Sequence, residues 1–107
     1  MDITDIKAAQ ERIRPYIKRT SLARSETLSS YLGTNVFVKL ELFQKTGSFK
    51  VRGAFNKLLS IPEAERKNGV VAISGGNHAQ AVAYASRVLN VDAVLLMPAS
   101  TPPVESF

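Results

Sequence analysis

The chain has 107 residues, 45% hydrophobic and 21% charged, which is the composition of one soluble globular domain or of part of a larger one. It has no cysteine and a single histidine, His78, which excludes a disulfide framework, a thiolate metal site and a histidine cluster. The net charge of +5 would be compatible with binding to nucleic acid. However, acidic residues are interspersed with the basic ones and no basic patch contains interleaved aromatic residues, so we expect no nucleic-acid partner.

The first forty residues are predicted to contain two helices and a strand. Thr4 is a candidate cap for the first helix, which Pro15 should end or kink. Ser25 and Gly33 have the positions of the N-cap and the C-terminal glycine of a second, short helix. Apolar and polar residues alternate over 36–41, which predicts a strand with one buried face.

A third helix is predicted to begin at the Ser48 cap and to end before Pro62. It has an apolar face made of Val51, Ala54, Phe55, Leu58 and Leu59. Pro62 and the acids that follow it predict a short fourth helix, which ends at Asn68-Gly69.

The remaining residues have the pattern of a parallel βαβ unit. Residues 70–73 and 93–97 are continuous apolar runs, which predicts strands buried on both faces, and a glycine turn at 74–77 opens a helix over 78–89. We therefore predict an α/β fold in which these strands share a sheet with the 36–41 strand. Such a small sheet leaves edges and apolar faces uncovered, so we expect the chain to be incomplete alone and to form a homo-oligomer.

Lys50 is the strongest candidate for a catalytic residue. It lies in the first turn of the third helix, between Gly47 and Gly53, where the helix dipole disfavours a protonated amine. A neutral lysine amine can form a Schiff base with an aldehyde. Taken alone, however, an ordinary exposed lysine is the better interpretation, and Lys50 needs support from the rest of the sequence.

The second candidate is the turn Ser74-Gly75-Gly76-Asn77-His78, which follows a strand and opens a helix. Free backbone amides at such a turn favour a carboxylate or a phosphate. The glycine spacings of a dinucleotide fold and of a P-loop are both absent. A purely structural turn, in which Ser74 or Asn77 caps the helix, is the alternative. We do not interpret His78 as a general base.

Four stretches resemble the threonine dehydratase and serine racemase family, which uses pyridoxal 5'-phosphate. They are 19–33, Lys39-Leu40-Glu41, the run Lys45-Thr46-Gly47-Ser48-Phe49-Lys50-Val51-Arg52-Gly53-Ala54, and Ser74-Gly75-Gly76-Asn77-His78-Ala79-Gln80. The resemblance covers nearly the whole chain, and the two longer motifs occur in the family's order.

The resemblance implies a role for each candidate residue. Lys50 matches the lysine that forms the Schiff base with the cofactor, and Phe49 matches the aromatic residue that lies against the cofactor ring. Asn77 matches the residue that bonds the ring hydroxyl. Ser74, Gly75, Asn77 and His78 match the turn that receives the substrate carboxylate. Racemases of the family have a serine in place of Gly75, and this departure argues against racemisation.

The implied fold is the N-terminal part of the fold-type-II, or tryptophan-synthase-like, pyridoxal-phosphate enzyme. Residues 1–66 would begin the larger domain, with the cofactor lysine, and residues 67–107 would begin the smaller βαβ domain. The glycine-rich phosphate loop and the partner of the ring nitrogen are expected beyond residue 107. The acidic, amphipathic start and the absence of a long apolar run lead us to expect no membrane segment and a cytoplasmic protein.

The implied reaction is the pyridoxal-phosphate-dependent β-elimination of a small amino acid, L-serine or L-threonine, to a 2-oxo acid by an ammonia-lyase. Serine racemases and cysteine or threonine synthases share the fold and remain alternatives. A non-catalytic fragment or binding module of the same family is a further alternative, because the phosphate loop is not in the chain.

Overall fold

The computed structural model describes residues 1–103, which form five α-helices and four short strands. The helices are α1 (Ile3–Ile13), α2 (Glu26–Leu32), α3 (Lys50–Ser60), α4 (Glu63–Arg66) and α5 (Asn77–Val88). The strands are β1 (Leu22–Arg24), β2 (Phe37–Lys39), β3 (Val70–Ile73) and β4 (Ala93–Leu96). Single 3-10 turns lie at Arg14–Tyr16, Glu41–Phe43 and Lys45–Gly47.

The ends of α1 and α2 follow local capping signals. Asp2 caps α1, because its side chain accepts from the amide of Thr4 at 2.8 Å, so the prediction of Thr4 as the cap is wrong. The helix gives way to a 3-10 turn that contains Pro15, as predicted. The Ser25 hydroxyl accepts a hydrogen bond from the backbone N of Leu28 in the first turn of α2, and Gly33 ends that helix at a left-handed φ of 67°.

The four strands form two separate sheets. Strands β1 and β2 pair antiparallel, with Leu22 opposite Lys39, whereas β3 and β4 pair in parallel, with Val70 opposite Ala93. The prediction that the 36–41 strand joins the other two strands in one sheet is therefore wrong, because its partner is the three-residue β1. The predicted parallel βαβ unit, formed by β3, α5 and β4, is confirmed.

Only one face of the parallel sheet is covered within residues 1–103. Val71, Ile73, Val94 and Leu96 are 68%, 76%, 57% and 51% exposed, so the prediction of strands buried on both faces is wrong for this part of the chain. The alternate residues of each strand pack against the core on the side of α5. The continuous apolar runs are typical of a sheet with two covering layers, and one of these layers is absent from the described residues.

The core lies between α3 and α5. It consists of Val51, Ala54, Phe55 and Leu58 from α3, Ala81, Val82 and Ala85 from α5, and Ile13 and Val91. The predicted apolar face of α3 is thus confirmed, with Leu59 at its half-buried margin. Small residues on α5 allow the two helices to approach closely. Since this cluster contains residues from both predicted segments, 1–66 and 67–107, the boundary between them stays a prediction.

Among residues 1–103, no helix has the length and apolar character needed to cross a bilayer.

Candidate active site

The loop before α3 determines where Lys50 stands. Thr46 and Gly47 both adopt left-handed φ angles, 65° and 75°, and these angles turn the chain sharply before the helix begins. The buried side chain of Gln44 ties this loop to the N-terminal segment: its Oε1 accepts from the backbone N of Lys18 at 2.9 Å and its Nε2 donates to the carbonyl of Lys18 at 2.7 Å. The start of α3 is therefore anchored rather than free.

The structure corrects the predicted cap of α3, Ser48, by one residue. The helix begins at Lys50, with Phe49 at the N-cap position, and the Ser48 hydroxyl accepts from the backbone N of Lys50 at 3.3 Å. Ser48 thus satisfies one free amide of the helix start from outside the ordinary cap position.

Lys50 and Phe49 lie side by side on the surface. Lys50 is the first residue of α3, as its sequence position predicts, and its Nζ is 5.3 Å from the centre of the Phe49 ring. Both side chains are exposed, Phe49 at 60%, and Lys50 has no ion-pair partner among residues 1–103. An accessible amine therefore stands next to an accessible aromatic face.

The second candidate, the turn after β3, presents its backbone to solvent. Ser74 continues the sheet by donating its backbone N to the carbonyl of Leu96 at 2.9 Å, and its hydroxyl accepts from the backbone N of Gly76 at 3.2 Å. Gly76 occupies the N-cap of α5, and no side chain caps this helix. The alternative in which Ser74 or Asn77 caps α5 is therefore wrong. The first amides of α5 stay available to an anion.

Gly75, in the middle of the turn, is packed against the loop after β4. A Cβ atom at this position would lie 2.8 Å from Oγ1 of Thr101 and 3.3 Å from Cδ of Pro98. A side chain at this position would require the Thr101 side chain or its loop to shift. Sequence reasoning missed Thr101, because this approach between two loops leaves no local pattern in the sequence.

The two candidate groups lie on helices that share one core. Phe49 and Lys50 are at the start of α3, while Ser74, Gly75, Asn77 and His78 surround the start of α5. His78 lines a cavity of about 260 Å³ together with Gly53, Ala54 and Lys57 of α3. Within residues 1–103, no hydrogen bond joins Lys50 or Phe49 directly to the turn.

An ion pair behind Lys50, also missed in the sequence, fixes the first turn of α3. Arg52 donates from Nε and Nη2 to the two carboxylate oxygens of Glu41, both at 2.8 Å, and the hydroxyl of Thr20 donates to the same carboxylate. The Glu41 side chain is only 13% exposed. The hydrogen bonds from Arg52 lower the pKa of Glu41 to about 2 and raise the pKa of Arg52.

We expect this pair to make stability depend on pH below pH 5. Because the pKa of Glu41 falls from 4.5 to about 2 on folding, its contribution is complete above pH 4.5 and is lost as the pH drops towards 2. With screening at the partly exposed guanidinium, the loss is on the order of 2 kcal/mol. Urea unfolding at several pH values measures it.

The matched control is the exposed pair between Glu11 and Arg14. Glu41→Gln should flatten the pH dependence between pH 5 and 3, whereas Glu11→Gln should leave it nearly unchanged. Equal curves for the two variants would contradict the role assigned to Glu41.

Comparison with known proteins identifies the family. The pattern of the pyridoxal-phosphate dependent enzyme family matches residues 13–106. The chain belongs to this family. It is 48% identical over 100 residues to the L-threonine ammonia-lyase of Thermotoga maritima, and 49% identical over 98 residues to the L-threo-3-hydroxyaspartate ammonia-lyase of a Pseudomonas species. These matches confirm the resemblance seen in the sequence.

Solved structures of family members have the same fold. Serine racemase from Dictyostelium discoideum superposes with a TM-score of 0.87 at 42% identity, over 95% of this chain and 34% of that one. The processed form of threonine deaminase isoform 2 from Solanum lycopersicum gives a TM-score of 0.74 at 36% identity, over 95% and 30%. The predicted fold-type-II α/β architecture is thereby confirmed.

The chain spans only part of these relatives. It aligns over 94% of its own length with 25% of the Thermotoga maritima lyase, and over 92% with 31% of the Pseudomonas lyase. The activity, substrates and partners of a whole enzyme are therefore proposed for the protein that carries this chain.

The described residues fit one end of pyridoxal phosphate. The exposed amine of Lys50 could react with the aldehyde, the exposed ring of Phe49 could lie against the cofactor ring, and the exposed amide of Asn77 could bond the ring hydroxyl. The uncapped start of α5 is suited to one carboxylate.

Proposed function

We propose that the protein carrying this chain is a pyridoxal-phosphate-dependent ammonia-lyase that converts L-serine or L-threonine to a 2-oxo acid. The observation that carries this proposal is the combination of an accessible lysine at the start of α3 with an uncapped turn at the start of α5, in a member of this family. Two relatives that are 48% and 49% identical are themselves named ammonia-lyases.

We assign the binding steps to backbone and side-chain groups of the two helix starts. The free amides of α5 bind the substrate carboxylate, helped by the positive end of the helix dipole. Asn77 bonds the ring hydroxyl of the cofactor, and Phe49 lies against the ring. Binding of the carboxylate at a fixed point orients the bond between the α-carbon and its hydrogen towards Lys50.

The proton steps belong to Lys50. When bound, pyridoxal phosphate withdraws electrons from the α-carbon of the amino acid and so makes its hydrogen acidic. The Nζ of Lys50 would then take the α-proton as a general base. The β-hydroxyl and the proton taken from the α-carbon would leave together as water, and hydrolysis of the dehydrated amino acid by a second water would give the 2-oxo acid and ammonia.

The racemase alternative is disfavoured by the environment of Gly75. Proton delivery to the opposite face of the α-carbon needs a second acid, and position 75 has no side chain. A side chain there would also crowd Thr101 as it stands, since a Cβ would be 2.8 Å from its Oγ1. Cysteine and threonine synthases, and a non-catalytic member of the family, remain the other candidates.

A substrate panel separates these candidates. The protein, loaded with pyridoxal phosphate, is given L-serine, L-threonine and O-acetyl-L-serine with sulfide, and ammonia, 2-oxo acid, cysteine and D-serine are measured. A lyase forms ammonia and 2-oxo acid in equal amounts from the first two substrates. Cysteine as the main product would indicate a synthase, D-serine a racemase, and no product from any substrate a non-catalytic protein.

We also propose that the protein self-associates. The apolar face formed by Val71, Ile73, Val94 and Leu96 is exposed within residues 1–103 and favours burial against another surface. Sedimentation should give a mass of two or more chains. A single-chain mass at micromolar concentration would contradict self-association. A cytoplasmic location stays a prediction.

A further inference from the structure

The loop after β4 folds back onto the turn that we assign to the substrate carboxylate. The backbone N of Thr101 donates to the carbonyl of Pro98 at 3.0 Å and closes a tight turn. Because β3 and β4 are parallel neighbours, the two loops that follow them meet at the same edge of the sheet. Thr101 is half-buried there and faces Gly75.

The contact explains why position 75 is a glycine. An ideal Cβ at Gly75 would be 2.8 Å from Oγ1 and 3.6 Å from Cγ2 of Thr101, and 3.3 Å from the Pro98 ring. Gly75 does not have the left-handed φ that would itself require glycine, in contrast to Gly47. Glycine is therefore the residue that fits here without a shift of the Thr101 side chain, which occupies the space of a Cβ.

We propose that Thr101 is a positioning residue for the substrate turn. Its side chain fills the place that a Cβ of Gly75 would take, and so limits the backbone paths open to the turn from Ser74 to Asn77, which carries the free amides of α5. The inference rests on the proposed function in one respect: it assumes that this turn binds the substrate carboxylate. Thr101 acts through the turn and needs no contact with the substrate.

Four variants test the inference: Gly75→Ala, Thr101→Gly, the double variant, and Thr101→Val as a control that keeps the shape but not the hydroxyl. Affinity is measured with L-alanine, which has the carboxylate but no β-leaving group. Each of the first two should bind about tenfold more weakly, because one crowds the turn and the other leaves it unsupported. The double variant should bind more tightly than either, since the new methyl fills the vacated space.

Thermal unfolding without cofactor or substrate gives an independent measurement. Gly75→Ala should lower Tm, and the added Thr101→Gly should recover most of that loss. Thr101→Val should match the wild type in both measurements. Recovery of Tm without recovery of affinity would overturn the positioning role, as would additive losses in the double variant. Ammonia release by the wild type is measured separately. A failure of the lyase proposal can therefore be told apart from a failure of the positioning role of Thr101.

Discussion

Lys50→Ala should abolish the visible absorption that the protein gains when pyridoxal phosphate is added. It should also lower 2-oxo acid formation by about 10²–10⁴-fold, the usual effect of losing a positioned acid or base. The reason is that the Nζ of Lys50 is an accessible amine at the start of α3, set beside the Phe49 ring at 5.3 Å. An absorption titration with cofactor measures the first effect and an assay of 2-oxo acid the second.

Lys57 provides the matched control, because it is an exposed lysine on the same helix, about two turns further along. Lys57→Ala should retain both the absorption and the activity. If Lys50→Ala keeps the absorption, the cofactor is joined to another amine, and the assignment of Lys50 fails. A wild-type protein with no absorption at all would support the non-catalytic alternative.

Phe55→Ala should have the largest effect on stability. Phe55 is fully buried, and its ring lies 5.0 Å from that of Tyr16 and 6.0 Å from that of Tyr84, so it joins the N-terminal segment, α3 and α5. Removing a buried phenylalanine leaves a cavity and costs about 3–5 kcal/mol, which is a large part of the stability of an ordinary domain. Urea unfolding followed by circular dichroism measures the loss.

Phe43 is the control for residue type, because its side chain is 63% exposed within residues 1–103. Phe43→Ala should change the free energy of unfolding by less than about 1 kcal/mol. Similar losses in Phe43→Ala and Phe55→Ala would show that the core is not centred on Phe55.

The parts of the fold that were predictable are those with local signals. Ser25 and Gly33 mark the two ends of α2 chemically, and both act in the structure as their residue types suggest. The period of the apolar residues located the buried face of α3, because helical geometry alone determines which residues share a face. The βαβ unit could be predicted because two continuous apolar runs flank a segment with helical spacing of small apolar residues, which begins at Asn77 in the structure.

The parts that were missed depend on contacts between distant residues. The three-residue strand Leu22–Arg24 has no alternation long enough to detect, so the partner of β2 could not be found. The pairing of Glu41 with Arg52, and the approach of Thr101 to Gly75, arise only when separate segments of the chain meet. For the candidate site, the sequence located Lys50 at a helix start, but its chemistry came from the resemblance to a family.

The uncovered face and open edges of the parallel sheet have a consequence for handling residues 1–103 on their own. Val70–Ile73 and Ala93–Leu96 are short, apolar, rich in β-branched or long aliphatic residues, and free of charge and proline. Each strand of this two-stranded sheet has an open edge within residues 1–103, and such an edge can act as a template for intermolecular strand addition and precipitation. For residues 1–103 prepared alone, Ile73→Lys would place a charge at a position that is 76% exposed there and should reduce precipitation, whereas in a longer chain that covers this face the same charge would be buried.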